Sequence, residues 1–314
     1  MEKDQPTAIV TGTSTGIGFE TSLLLARNGF YTFATMRDTR KSTKIEKIAN
    51  DENLPLEVLT LNVDDSNSVK ETIQKILTKR KQIDILVNNA GYGLFGALED
   101  ISMEQIKQQF ETNLFGAIRM IKETLPIMRK QKNGIMINVS SIAGIIGPPT
   151  SSAYASTKFA LEGLCESISY ELEPYRIKVI LIEPGVINTN FVPNIRLPTL
   201  IKDKLPPTKL PQQSSSEEKE LVNEITDDDS KKMNYSHYSS TVNAFLSHYY
   251  PAMKSAPLPQ EVSAVILESI KNARNSQECF FRHTVGKDAK VFFQAKKTMT
   301  DSQLHKFISY KLLS

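Results

Sequence analysis

The feature that most constrains this chain is an alternation running through roughly its first 190 residues. Short apolar runs at residues 7–10, 31–35, 56–61, 83–87, 135–139 and 178–182 are separated by longer amphipathic stretches at 18–28, 66–80, 103–130 and 152–174. Several of the runs are uninterrupted, which suits strands buried on both faces rather than strands with one face in water. Strand, helix, strand repeated in this order predicts an α/β chain with a doubly wound, mostly parallel sheet and helices on both faces. In such a sheet the ligand site lies beyond the carboxyl ends of the strands, so the residues just after each strand carry the functional information.

After the first strand stands TGTSTGIG, residues 11–18, followed at once by a helix. Gly12, Gly16 and Gly18 permit a tight turn and close backbone approach, with Ser14, Thr15 and Ile17 between them. The helix that follows offers free N–H groups and the positive end of its dipole to a pyrophosphate. A glycine turn that merely packs helix on strand is the plainer alternative; the position after an N-terminal strand favours a dinucleotide. An acid near the end of the second strand would select NAD by accepting the ribose 2′-hydroxyl. Here the corresponding stretch is Met36-Arg37, and an arginine pairs with a 2′-phosphate, which predicts NADP; Asp38 keeps NAD open.

Three further strand-end loops share that edge: NNAG (88–91), INVSSIAG (137–144) and EPGVINT (183–189). Alone, NNAG is a turn and a serine pair is capping chemistry; their common placement is what marks them. In YASTK, Tyr154 and Lys158 are four residues apart on a helix and share a face. A phenol of ordinary pKa near 10 is a poor base at neutral pH, and a neighbouring cation stabilises its anion. A second match, YPAMK at Tyr250 and Lys254, shows that spacing alone decides nothing; Pro251 there suits a helix start or turn.

Taken together, TGTSTGIG, NNAG, Asn113, the serine pair, YASTK and PGVINT resemble, in order and spacing, the short-chain dehydrogenase/reductase superfamily in its compact form. The resemblance is strong over residues 7–191 and weak over 260–288. ATMRD, Tyr92-Gly-Leu-Phe-Gly and KFALEGLCES look most like the branch of 17β-hydroxysteroid and retinol dehydrogenases. It implies a Rossmann fold and hydride transfer between a nicotinamide and an alcohol or carbonyl. The family spacing of thirteen residues selects Ser141, not Ser140, to bind the substrate oxygen. Tyr154 would be the general acid or base, and Lys158 would hold its charge and the nicotinamide ribose. Asn113 would bend its helix and hold a proton-relaying water. Asn89, Ala90 and Gly91 would flank the adenosine ribose, and Pro184, Gly185, Val186 and Thr189 the carboxamide. Asn62, before Val63, stands where the family usually has Asp facing adenine, which implies weakened rather than lost binding. The two long helices at 103–130 and 152–174 form the family's usual dimer surface, so a homodimer or homotetramer is expected.

The rest of the chain says less. With 314 residues and 40% hydrophobic content, it reads as a single domain over 1–314. Residues 191–259 hold eight of fifteen prolines and the polar tracts SSSEEKE and DDDSKK, and read as a lid inserted on the substrate side. QEVSAVILESIKNA predicts a helix and ECFFRHTVG a further strand. The tail, 287–314, mixes lysines with apolar residues; covering the domain is its default role, ahead of a partner or membrane contact. A net charge of +3 does not argue for nucleic acid. Cys165 and Cys279, and the four histidines, lack disulfide or metal spacing. Neither a targeting stretch nor a spanning apolar segment is seen, which predicts a cytoplasmic protein. The expected activity is that of an NADP(H)-preferring oxidoreductase on a bulky apolar alcohol or carbonyl. A nucleotide-sensing or scaffold protein that binds NADP without turnover is the alternative.

Overall fold

The computed structural model describes residues 5–189 and 236–314. Among these residues seven strands form a single sheet in which every pairing is parallel. They are β1 (Thr7–Thr11), β2 (Tyr31–Met36), β3 (Leu56–Thr60), β4 (Ile85–Asn88), β5 (Gly134–Val139), β6 (Ile177–Pro184) and β7 (Phe280–Val285), in the order β3-β2-β1-β4-β5-β6-β7. The order reverses between β1 and β4, opening the crevice that a doubly wound sheet offers a ligand.

Alternation along each strand divides the core between two faces. Ala8 and Val10 point to one side, packing with Leu25 of α1 (Gly16–Arg27) and with Val262, Ile266 and Ile270 of a late helix at Pro259–Asn275. Ile9 points to the other, against Val69, Ile73 and Ile76 of α3 (Ser66–Arg80) and Leu161 of α6 (Ser152–Leu172). Each such Val, Leu or Ile side chain, fully buried, is worth about 1.5–3 kcal/mol, so a sheet apolar on both faces holds only if both are covered. Where α1 crosses the late helix, Thr21 Oγ and Ser263 Oγ lie 3.0 Å apart. A short helix, α2 (Thr43–Asp51), lies between β2 and β3 and buries Ile45 and Ala49.

The stretch expected as one helix over 103–130 is instead three pieces. α4 (Met103–Phe110) runs into a π-helical turn at Glu111–Phe115, and α5 (Gly116–Gln131) follows. A Cβ at Gly116 would stand 2.7 Å from Val63 Cγ2, so the helix passes that close to the end of β3 only with glycine there.

Of the expected lid, residues 191–235 lie outside the described part. Its remainder contains α7 (Ser239–Lys254), whose buried residues are Val242, Phe245 and Leu246. Pro251 lies inside this helix rather than at a helix start or turn; the apolar face carries the helix one turn past the missing N–H. The helix at Pro259–Asn275, α8, is followed by β7, which extends the sheet beside β6. The tail forms a hairpin of α9 (Lys287–Thr298) and α10 (Asp301–Leu313), the second opened by a capping box of Thr300 and Gln303. It packs onto Ile142 and Ile146, just beyond β5.

Candidate active site

The glycine turn has the shape its sequence requires. Gly12 and Gly16 hold φ of +72° and +66°, where a side chain is strained. A Cβ on Gly18 would lie 2.4 Å from Asn89 Nδ2 and 2.5 Å from the Gly12 carbonyl oxygen. Asn89 braces the turn from β4, its amide donating to the Thr11 carbonyl at 2.8 Å and the Gly12 carbonyl at 3.1 Å. Thr11 Oγ in return accepts the backbone N–H groups of Asn89 and Ala90, both at 3.0 Å. At the helix start, Thr15 makes no side-chain cap and the first turn carries no acid. Ser14 and Ile17 are half-buried around that end, and Thr189 packs against Gly16. Uncapped N–H groups under a cradle too tight for any Cβ fit a pyrophosphate.

Towards β2 and β3, Arg37 is exposed and makes no hydrogen bond or ion pair among the described residues. Its neighbour Asp38 is turned to Arg40, which donates to it at 2.8 and 3.0 Å and holds its carboxyl below the usual range. A free guanidinium beside an occupied carboxylate fits a 2′-phosphate better than a bare hydroxyl. Asn62 closes a small turn by accepting the Asp64 N–H at 3.3 Å, and Val63 beside it is buried.

At the other end of the crevice, α6 brings Tyr154 and Lys158 to the sheet edge. Lys158 is buried, and its Nζ donates to the Val139 carbonyl at 2.8 Å and stands 5.7 Å from the centre of the Tyr154 ring. Burial pushes the Tyr154 phenol up to about 12, opposed by its hydrogen bond with Ser141. Burial draws Lys158 down to about 8, against an upward pull first from Glu162 and then from Cys165. Ser141 begins the short turn at Ile142–Gly144 and accepts the Ala143 N–H at 3.1 Å. Ser140 faces elsewhere: its Oγ and Glu162 Cγ each lie 2.9 Å from where a Gly144 Cβ would stand.

Asn113 sits in the π-turn and is buried. Its side-chain oxygen accepts the Tyr92 N–H at 3.1 Å, while its amide donates to the Tyr92 carbonyl at 3.0 Å and to Thr157 Oγ at 3.3 Å. Asn113 thus ties the loop after β4 to the residue before Lys158, and Gly91 leaves room for it, a Cβ there being 3.1 Å from Asn113 Oδ1. A cavity of about 10 Å³, close to the space of one water, is lined by Asn113, Lys158, Asn88, Thr11 and apolar neighbours. Asn88 Oδ1 is buried without a hydrogen-bond partner among the described residues.

Several residues to which the sequence assigns no role complete the site. One turn beyond Lys158, buried Glu162 meets Arg282 Nε at 3.2 Å, and fully buried Glu183 lies 3.5 Å from the same atom. Burial, then the nearby Glu162 charge, pushes Glu183 up to about 7. Over Tyr154 stands an aromatic wall: Phe95 meets it edge-on at 6.0 Å and packs on Phe245 at 5.6 Å and Tyr249 at 5.4 Å. Tyr250 of YPAMK reaches only the rim of this wall, 6.4 Å from Tyr249, and Lys254 is exposed. Beside the wall opens a cleft of about 480 Å³ between Val242, Thr241 and Tyr238 on one side and residues 96–99, Thr150 and Ser152 on the other. Pro184 ends β6, and the loop after it is held by Asp288, whose Oδ2 accepts the Val186 N–H at 2.7 Å.

The fold and this edge are those of the doubly wound dinucleotide-binding class. A family model described as short chain dehydrogenase matches residues 6–199, and the chain belongs to that family. It is 38% identical over 186 residues to 3-ketodihydrosphingosine reductase of Bacteroides thetaiotaomicron, covering 59% of this chain and 65% of that protein. To human retinol dehydrogenase 8 it is 38% identical over 189 residues, covering 59% and 60%. The match therefore spans less than two thirds of either relative. The solved structure of ElxO with NADP bound is 32% identical, with a TM-score of 0.57 over 60% of this chain and 77% of that one.

Proposed function

We propose that this protein is an NADP(H)-preferring oxidoreductase that interconverts an alcohol and its carbonyl on a bulky apolar substrate. The observation that carries this is the Ser141–Tyr154–Lys158 arrangement at the same sheet edge as the glycine cradle. Bound at that edge, NADP(H) would supply the hydride exchanged with the carbinol carbon. The cradle at Gly12–Gly18 would hold its pyrophosphate, Arg37 its 2′-phosphate, and the loop at 184–189 its nicotinamide.

In the reductive direction, Ser141 and Tyr154 hold the carbonyl oxygen as charge develops on it. Tyr154, still protonated with its pKa pushed up to about 12, gives that oxygen its proton. Lys158, positively charged below its pKa of about 8, stabilises the phenolate left behind. Tyr154 is reprotonated by way of Lys158, beside which the small cavity at Asn113 and Asn88 has room for a relaying water. Oxidation reverses these roles.

The aromatic wall over Tyr154 and the adjoining cleft support an extended apolar substrate, steroid-, retinoid- or lipid-like; a cleft of about 480 Å³ is within the usual range for such ligands. The relatives named for 3-ketodihydrosphingosine and retinol agree with that class. Phe115, Phe159 and Tyr170, all exposed on the π-turn and α6, support pairing of two copies through these helices. No helix of the described residues is long and apolar enough to cross a membrane.

Mixing the protein with NADPH and a panel of apolar ketones and aldehydes tests the proposal. Loss of the reduced-nicotinamide absorbance with at least one carbonyl is the expected result. Tight NADPH binding without turnover on any of them would instead support a sensor.

A further inference from the structure

We propose that Asp288, on the tail hairpin, is a positioning residue of the active site: it fixes the loop after β6 against which the nicotinamide would lie. Its carboxylate lies closer to that loop than a side chain at position 185 would allow. Oδ2 accepts the Val186 N–H at 2.7 Å, and a Cβ on Gly185 would stand 2.2 and 2.3 Å from the two carboxylate oxygens. Glycine at 185 is thus the residue that lets the carboxylate lie on the backbone. Gly286, at φ +102°, turns the chain from β7 into α9 and delivers Asp288 in the first turn of the helix.

The loop is held at three points in four residues. The Gly185 N–H donates to the Val285 carbonyl at 2.9 Å, the Val186 N–H to Asp288, and the Asn188 N–H to the Pro257 carbonyl at 2.9 Å. Two of these holds are backbone, which almost any sequence could make; the middle one depends on a side-chain acceptor at position 288. A charge-assisted bond of this length is roughly twice as strong as a neutral one. The same group borders the substrate side. Burial, and after it Tyr154, Tyr250 and Asp288, raise the Tyr249 phenol above its ordinary range. The hairpin meanwhile packs Ala289, Leu304 and Ile308 with Ile142 and Ile146, beside Ser141, and sets Leu312 and Leu313 in the aromatic cluster around Tyr154. A segment with little resemblance to the family core therefore helps to shape both ends of the reacting centre.

This rests on the proposed seat of the nicotinamide at residues 184–189, and the test separates the two. Affinity is measured by titration calorimetry for NADPH and for adenosine 2′,5′-bisphosphate, which carries only the far half of the cofactor, in the wild type, Asp288→Ala and Asp288→Asn. Asp288→Ala should weaken NADPH about tenfold, the scale of one charge-assisted hydrogen bond, and leave the bisphosphate unchanged. Asp288→Asn, which keeps a neutral acceptor for the Val186 N–H, should recover about half of the lost binding free energy and part of the fluorescence of bound NADPH. Unchanged NADPH affinity in Asp288→Ala, or an equal loss for both ligands, would overturn the role of Asp288. Failure of the wild type to bind NADPH would instead overturn the cofactor reading itself.

Discussion

Lys158 Nζ lies 2.8 Å from the Val139 carbonyl and 5.7 Å from the centre of the Tyr154 ring, so a strand end fixes the cation that faces the phenol. The two groups are displaced in opposite directions by the same burial. Tyr154 is raised to about 12 and Lys158 lowered to about 8, which leaves a protonated acid beside a cation that titrates near neutrality.

The pH dependence of reduction follows from that displacement. Below about 8 Lys158 carries its charge; as pH rises through that value the charge is lost and the Tyr154 phenolate formed by proton donation is no longer stabilised. Tyr154 itself stays protonated until about 12. The value of kcat/KM for the carbonyl, measured at saturating NADPH, should therefore fall above an apparent pKa near 8. A flat profile to the limit of protein stability would contradict the role given to Lys158.

Arg37 is exposed and without a partner among the described residues, whereas Asp38 is held by Arg40. Arg37→Glu should lower the ratio of kcat/KM for NADPH over NADH by about tenfold or more, one lost charge-assisted contact being worth about 1.5–3 kcal/mol. An unchanged ratio would remove Arg37 from the cofactor site.

Gly18→Ala would place a methyl 2.4 Å from Asn89 Nδ2 and 2.5 Å from a backbone oxygen. Because the backbone oxygen cannot yield as a flexible side chain does, a loss of about 1–3 kcal/mol in stability is expected, together with weaker NADPH binding. Thermal unfolding with and without NADPH measures both; wild-type behaviour in each would mean that the turn is looser than its geometry indicates.

Much of the fold was legible because the inner strands are apolar on both faces, and two-faced burial leaves a mark in a single strand, as in TAIVT. The strand-end motifs were legible for the same reason: once the strands are placed, their ends share an edge. The break at Asn113 was legible only as the bend that the family resemblance implied, since residues 103–130 keep one amphipathic pattern throughout. What accompanies the break is tertiary, the bonds of Asn113 to Tyr92 and Thr157. The helix α2 leaves a weaker mark in the sequence because nine residues give a short pattern, although Ile45, Ile48 and Ala49 have helical spacing. Phe95, Phe245 and Tyr249 assemble from distant segments, as do Asp288 and Val186, and no local spacing announces such pairs. Pro251 misled because an apolar face can carry a helix past one missing hydrogen bond.

The central claim is that Tyr154 delivers the proton, and the most direct measurement is a single turnover of NADPH with an accepted carbonyl by the wild type and Tyr154→Phe. Loss of the hydroxyl should slow NADPH oxidation by about 10²–10⁴-fold, the contribution of a positioned general acid, while NADPH affinity stays near that of the wild type. Turnover by Tyr154→Phe at the wild-type rate would contradict the account.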